Sequence, residues 1–102
     1  MEAHRSWLAS ATMSNVLITG CSSGFGELAA LTFARNGHKV FATMRTPGKS
    51  AALNAEPGIV QLPLDVCDTA SVEAAVTQAI AQAGRLDVVV NNAGIELFGA
   101  VH

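Results

Sequence analysis

Val16-Leu-Ile-Thr-Gly20-Cys-Ser-Ser-Gly24-Phe-Gly26 runs from a short apolar, partly β-branched segment directly into a loop carrying three glycines. An apolar run of this kind, bounded by a turn, predicts a parallel strand covered on both faces, over about Asn15 to Thr19. Gly20 falls where the chain must turn sharply out of that strand, and Gly24 and Gly26 open a segment of helical character. Such an arrangement brings a phosphate against backbone N–H groups at the positive end of a helix. Glycine lets the backbone approach a pyrophosphate, and a small residue further on lets helix and strand pack closely. Gly24-Phe25-Gly26-Glu-Leu-Ala29 reads as the G-x-G-x-x-A form of a dinucleotide-binding fingerprint. The plainer reading is that these glycines serve only to turn the chain.

Outward from this loop, strands and helices alternate. A helix is predicted over Phe25 to Asn36, with Leu28, Ala29, Leu31, Thr32 and Phe33 forming its apolar side and Gly37 its stop. Lys39 to Thr43 reads as a second buried strand. Thr46-Pro47-Gly48 is a turn, with a short helix at Ser50 to Asn54 and a third strand at Ile59 to Leu62. Asp68 or Thr69 caps a further helix in which Val72, Ala75, Val76, Ala79 and Ile80 recur at helical spacing. Gly84 ends that helix, and Leu86 to Val90 is a fourth, almost wholly apolar strand. Alternation of this kind predicts a parallel sheet wound by right-handed crossovers.

With 102 residues, half of them hydrophobic, the chain has room for one small domain and no separate substrate domain. Six basic against eight acidic residues leave a net charge of −2 without a basic cluster, which argues against nucleic acid and anionic membrane as partners. No apolar run is long enough to span a bilayer. Two cysteines make no disulfide framework, and reduced thiols are expected. The helix start beside Cys21 would lower its thiol pKa, although most cysteines so placed are small loop residues. The three histidines lack the spacing and neighbours of a metal site, so no metal is expected. Residues 1–13 show little periodicity and no secretory signal, and are expected to be an extension without ordered structure. An amphipathic targeting segment around Arg5 and Trp7 is the alternative, weakened by Glu2.

Thr19-Gly20-x-x-x-Gly24-x-Gly26 resembles the cofactor motif of the short-chain dehydrogenase/reductase family, in the glycine spacing of its compact branch. Asn91-Asn92-Ala93-Gly94 after a hydrophobic strand resembles that family's second signature, and Leu64-Asp65-Val66 lies between the two motifs, where the family carries an adenine-contacting aspartate. The resemblance covers Ser14 to the end. It implies the N-terminal part of an NAD(P)-binding Rossmann domain over residues 14–102: an α/β, doubly wound parallel sheet, of which the N-terminal half, about four strands in the order 3-2-1-4, is present.

The same resemblance assigns candidate cofactor residues. Gly20, Ser22, Ser23, Gly24, Phe25 and Gly26 would form the pyrophosphate loop. Asp65 would accept from the adenine amino group with Val66 beside the ring, and Asn92, Ala93 and Gly94 would pass beside a ribose. Asn91 and Asn92 equally suit the satisfaction of strand-end backbone groups, as Asp65 suits a loop. At the end of the second strand an acid would hydrogen-bond a ribose 2′-OH, but Ala42-Thr43-Met44-Arg45 contains none. Arg45 offers a planar, permanently charged fork suited to phosphate. NADP(H) is therefore expected over NAD(H).

Hydride transfer in the family uses a tyrosine as general acid/base, a lysine four residues later, a serine and an asparagine. The chain contains no tyrosine at all. Lys39 and Lys49 match nothing in that pattern, and no catalytic residue is assigned. The expectation is the N-terminal NADP(H)-binding portion of a cytoplasmic oxidoreductase acting on a carbonyl or alcohol, inactive as it stands. Its partners would be the dinucleotide and the C-terminal half or a homo-oligomer of the full-length protein. Two other readings stay open: a non-catalytic half-domain binding nucleotide or a partner, and a glycine loop for another phosphate ligand.

Overall fold

The computed structural model describes residues 13–22 and 24–92. The expected extension, apart from Met13, therefore lies outside the described residues, as do Ser23, Ala93 and Gly94. Four parallel strands, β1 (Asn15–Ile18), β2 (Lys39–Met44), β3 (Ile59–Pro63) and β4 (Val88–Val90), form one sheet in the order β3-β2-β1-β4. Between them run α1 (Gly24–Arg35), the single-turn α2 (Ala51–Asn54) and α3 (Thr69–Ala83). This is the expected Rossmann-type α/β order, 3-2-1-4.

The register explains the unbroken apolar runs. Leu17 lies opposite Phe41 on β2 and Val89 on β4, and Phe41 opposite Val60 on β3. Side chains alternate across the sheet, so Val16, Ile18, Val40, Ala42 and Met44 pack on one face with Ala30 and Leu31 of α1 and Leu53 of α2. Leu17, Phe41, Leu62 and Leu64 pack on the other with Ala75 and Ala79 of α3. Both faces of β1 and β2 are covered, and neither strand needs a polar side.

The helices differ in detail from their periodicity. On α1 the buried residues are Gly26, Ala30 and Leu31, while Leu28 is exposed. The face that meets the sheet combines the small Gly26 and Ala30 with Leu31, and Ala29 and Phe33 pack at its edge. On α3, Ala75 and Ala79 are buried but Ile80 is exposed at the rim of its apolar stripe. Asp68 is the N-cap, its carboxylate accepting from the Ala70 and Ser71 N–H groups, and Gly84 at φ 92° closes the helix. The fourth strand begins later than expected and lies at the sheet edge, with Val88 and Val89 exposed. Its entry is pinned to β1: Asn15 N–H donates to Asp87 Oδ2 at 2.8 Å, and Asn15 Nδ2 donates to the Arg85 carbonyl at 2.9 Å.

Candidate functional site

The carboxyl ends of β1, β2 and β3 open onto one cleft of about 440 Å³. Gly20 and Ser22 line it after β1, Met44, Arg45, Thr46 and Lys49 after β2, and Leu64 and Val66 after β3. The helices after β1 and β2 cover one face of the sheet and α3, after β3, the other, and the crevice lies outside the carboxyl ends of these strands. It has two unlike ends.

The end at β1 is built from backbone. Gly20 and Gly24 adopt φ 70° and 63°, a region that side chains other than glycine enter at a cost. A Cβ on Gly24 would meet nothing within 4 Å, so the loop faces open space. Gly26 is the reverse case. A Cβ there would overlap the Gly20 carbonyl oxygen and stand 2.7 Å from Asn92 Nδ2. Gly26 is what lets α1 lie against the turn that precedes it. The turn is tied down on both sides: Cys21 N–H donates to the Thr43 carbonyl at 3.0 Å and Thr19 N–H to the Val90 carbonyl at 3.0 Å. The Thr19 hydroxyl donates to Asn91 Oδ1 at 3.1 Å and accepts from the Asn92 N–H at 3.0 Å, while Asn92 Nδ2 donates to the Gly20 carbonyl at 3.1 Å. Thr43 Oγ1 adds a buried bond to the Ile18 carbonyl at 2.9 Å.

Cys21 is fully buried inside this knot, and its thiol donates to the Ile18 carbonyl at 3.2 Å. Burial pushes the thiol pKa up to about 11; a hydrogen bond from the backbone side at Thr43 opposes the rise and the nearby Glu27 carboxylate adds to it. The lowering expected from the helix start is thus corrected, because taking a thiolate out of water outweighs the helix field. Cys67 is free and exposed, so the described structure holds no disulfide between the two.

The end at β2 and β3 is built from side chains. Arg45 is exposed at the lip, its Nε 4.0 Å from Asp65 Oδ1. Asp65 Oδ1 also accepts from the Cys67 N–H at 3.0 Å, and the Asp65 N–H donates to Ser71 Oγ at 2.8 Å. The carboxylate therefore shapes the turn into α3 as well as facing Arg45. No acid stands at the end of β2.

Of the candidate residues, Gly20, Ser22, Arg45 and Val66 share the cleft wall. Gly26 and Asn92 sit behind it as packing and bracing groups, Gly24 opens α1, and Phe25 projects with 68% exposure. Sequence reasoning passed over Thr46, Leu64 and Lys49 as site residues. Their signal was their position just beyond the carboxyl ends of β2 and β3, where ligands collect in such sheets. It also gave no role to the Thr19 side chain, which both asparagines engage. Among the described residues no cluster of metal-ligating side chains occurs, and no helix is long and apolar enough to cross a membrane.

Comparison with known proteins agrees with this geometry. Residues 14–102 match the model of the short chain dehydrogenase family. The chain is 41% identical over 86 residues to a 3-ketodihydrosphingosine reductase of Bacteroides thetaiotaomicron, covering 84% of this chain and 30% of that protein. It is 44% identical over 84 residues to the NADP-dependent 3-hydroxy acid dehydrogenase YdfG of Salmonella typhi, covering 80% and 34%. A crystal structure of a hydroxysteroid dehydrogenase from Escherichia coli superposes with a TM-score of 0.73 at 26% identity, over 79% of this chain and 37% of that one. The chain thus spans about a third of the length of the curated relatives it matches. With glycine loop, strand order and the Asn91–Asn92 brace in agreement with a family match over almost its whole length, this chain belongs to the short-chain dehydrogenase family.

Proposed function

We propose that the chain is the NADP(H)-binding N-terminal portion of an oxidoreductase that moves a hydride between the nicotinamide cofactor and a carbonyl or alcohol substrate. The observation that carries the cofactor assignment is the lip of the cleft after β2, where Met44 and Arg45 stand in place of an acid. A guanidinium there attracts a 2′-phosphate, and no carboxylate at the strand end competes for a 2′-OH or repels the phosphate. One relative, an NADP-dependent 3-hydroxy acid dehydrogenase, supports the same reading.

The residues present fit a dinucleotide. The open face of Gly24 and the positive φ of Gly20 give a cradle without side chains beside the start of α1. In this reading Gly20, Ser22, Ser23, Gly24 and Phe25 surround the pyrophosphate, with Gly26 holding the helix close. Val66 and Leu64 offer the adenine an apolar wall, and Asp65 keeps its second carboxylate oxygen for the adenine amino group. Asn92, Ala93 and Gly94 pass beside the ribose. The bound nicotinamide would supply or accept the hydride; the present residues bind and orient its adenosine and phosphate half. With no tyrosine in the sequence, the 102 residues alone bind cofactor without turning it over. The exposed Val88 and Val89 on β4 are an apolar surface for the remainder of the full-length protein or an oligomer partner to cover. A cytoplasmic setting completes the proposal.

Titration calorimetry with NADPH and NADH tests it. Wild type binds NADPH more tightly. Arg45→Ala weakens NADPH by roughly tenfold or more, the size of a lost charge-assisted bond, and leaves NADH nearly unchanged. Combining Met44→Asp with Arg45→Ala reverses the preference; equal affinities for both cofactors in wild type and variants would refute the assignment.

A further inference from the structure

We propose that Lys49 is a second cation that reads the 2′-phosphate, acting beside Arg45 on the same lip. The inference deepens the NADP(H) reading above and rests on it.

Arg45 alone is a compromised phosphate receptor. Its guanidinium faces the Asp65 carboxylate at 4.0 Å, and the two charges offset each other toward an incoming dianion. Lys49 lines the same cleft, is exposed, and makes no ion pair among the described residues. Lys49 adds a second cation to the lip that Arg45 shares, one whose charge faces no carboxylate in an ion pair among the described residues.

The backbone on both sides of Lys49 is fixed. Gly48 N–H donates to Gln61 Oε1 at 2.9 Å, Gln61 Nε2 donates to Asn54 Oδ1 at 2.6 Å, and Asn54 Nδ2 donates back to the Gly48 carbonyl at 2.9 Å. This closed ring ties the turn to β3 and α2 at once. Gly48 adopts φ 95°, a conformation that suits glycine in a tight turn. On the other side the Ser50 hydroxyl donates to the Glu27 carboxylate of α1 and accepts the Leu53 N–H at 3.1 Å. Lys49 is the residue between these two anchors. Its flexible stem is the main freedom left to lose on binding, so an ammonium contact with phosphate retains most of its strength.

The test measures affinities of the full chain, wild type and Lys49→Ala, Lys49→Arg and Arg45→Ala variants, for NADPH, NADH, adenosine 2′,5′-bisphosphate and AMP. Lys49→Ala is expected to weaken NADPH and the bisphosphate about fivefold to tenfold, with NADH and AMP within about twofold, as one partly exposed charge-assisted contact implies. Lys49→Arg retains most of the preference. Should Arg45→Ala abolish the preference while Lys49→Ala leaves it intact, the Lys49 proposal falls and the NADP(H) reading stands. Equal losses for NADH and NADPH would overturn it too, assigning Lys49 to general anion attraction. A wild type that does not prefer NADPH overturns both.

Discussion

The two ends of the cleft are made by different means. At the β1 end, Gly20, Gly26, Thr19 and Asn92 interlock through backbone groups and partly buried bonds, and among the described residues no charged side chain lines the cleft there. At the β2 end the wall is Met44, Arg45, Thr46 and Lys49, whose cations stand in solvent on a hydrogen-bonded turn. The first end is bound up with the stability of the fold. The second can change its charge with little effect on folding. The contrast teaches that one cleft can set a packed backbone frame beside an exposed charged lip, because packing constrains only the former.

The largest effect expected is at Gly26. Gly26→Val forces α1 away from the Gly20 carbonyl and Asn92, and should cost about 3 kcal/mol or more, on the scale of severe overpacking. Urea unfolding that shifts by less than about 1 kcal/mol would mean the helix can move and the knot is not rigid.

The two thiols sharpen the same comparison. Cys21 belongs to the buried end and Cys67 to the exposed turn after β3. At neutral pH iodoacetamide should modify Cys67 in the native protein and spare Cys21. Because folding raises the Cys21 pKa from 9.0 to about 11, the unfolded chain gives up its proton first as pH rises. The stability tied to the protonated thiol is thus nearly complete below about pH 9 and is lost as pH climbs toward about 11, by about 2 kcal/mol across that window. Cys21→Ala should flatten this alkaline decline in urea titrations; an unchanged slope would assign the decline to other groups.

Thr19→Val keeps the shape of a side chain that is only 4% exposed and removes the hydroxyl on which the Asn92 N–H depends. About 1–2 kcal/mol of stability should go with it, and amide exchange should quicken at Asn92. The smallest effect belongs to the other end: Arg45→Ala, which on the proposed reading weakens NADPH binding, should alter stability by no more than about 0.5 kcal/mol, since its side chain is 77% exposed and its ion pair long. A large loss of stability there would erase the distinction between the ends.

Much of this was legible in the chain. The glycine spacing, the apolar runs and the cap at Asp68 are local signals, and each corresponds to an element where it was expected. On α1 the expected Leu31, Ala29 and Phe33 do pack on the core, whereas Leu28 and Thr32 are exposed and the small Gly26 and Ala30 take the close approach to the sheet. The Cys21 pKa was misjudged because a sequence shows the neighbouring helix start but not the depth of burial. Lys49 was passed over because its anchors, Gln61 and Asn54, lie on other elements.

By itself the sequence determined the α/β class, the strand order through the family resemblance, the glycine loop and the basic end of β2. These follow from short-range sterics and from patterns carried within a few residues. Only the tertiary structure decided which side chains share the cleft, which polar groups brace the loop and which thiol is buried. Those outcomes depend on distances between segments tens of residues apart, such as Thr19 and Asn92 or Gly48 and Gln61, and on desolvation, which the packed chain alone creates.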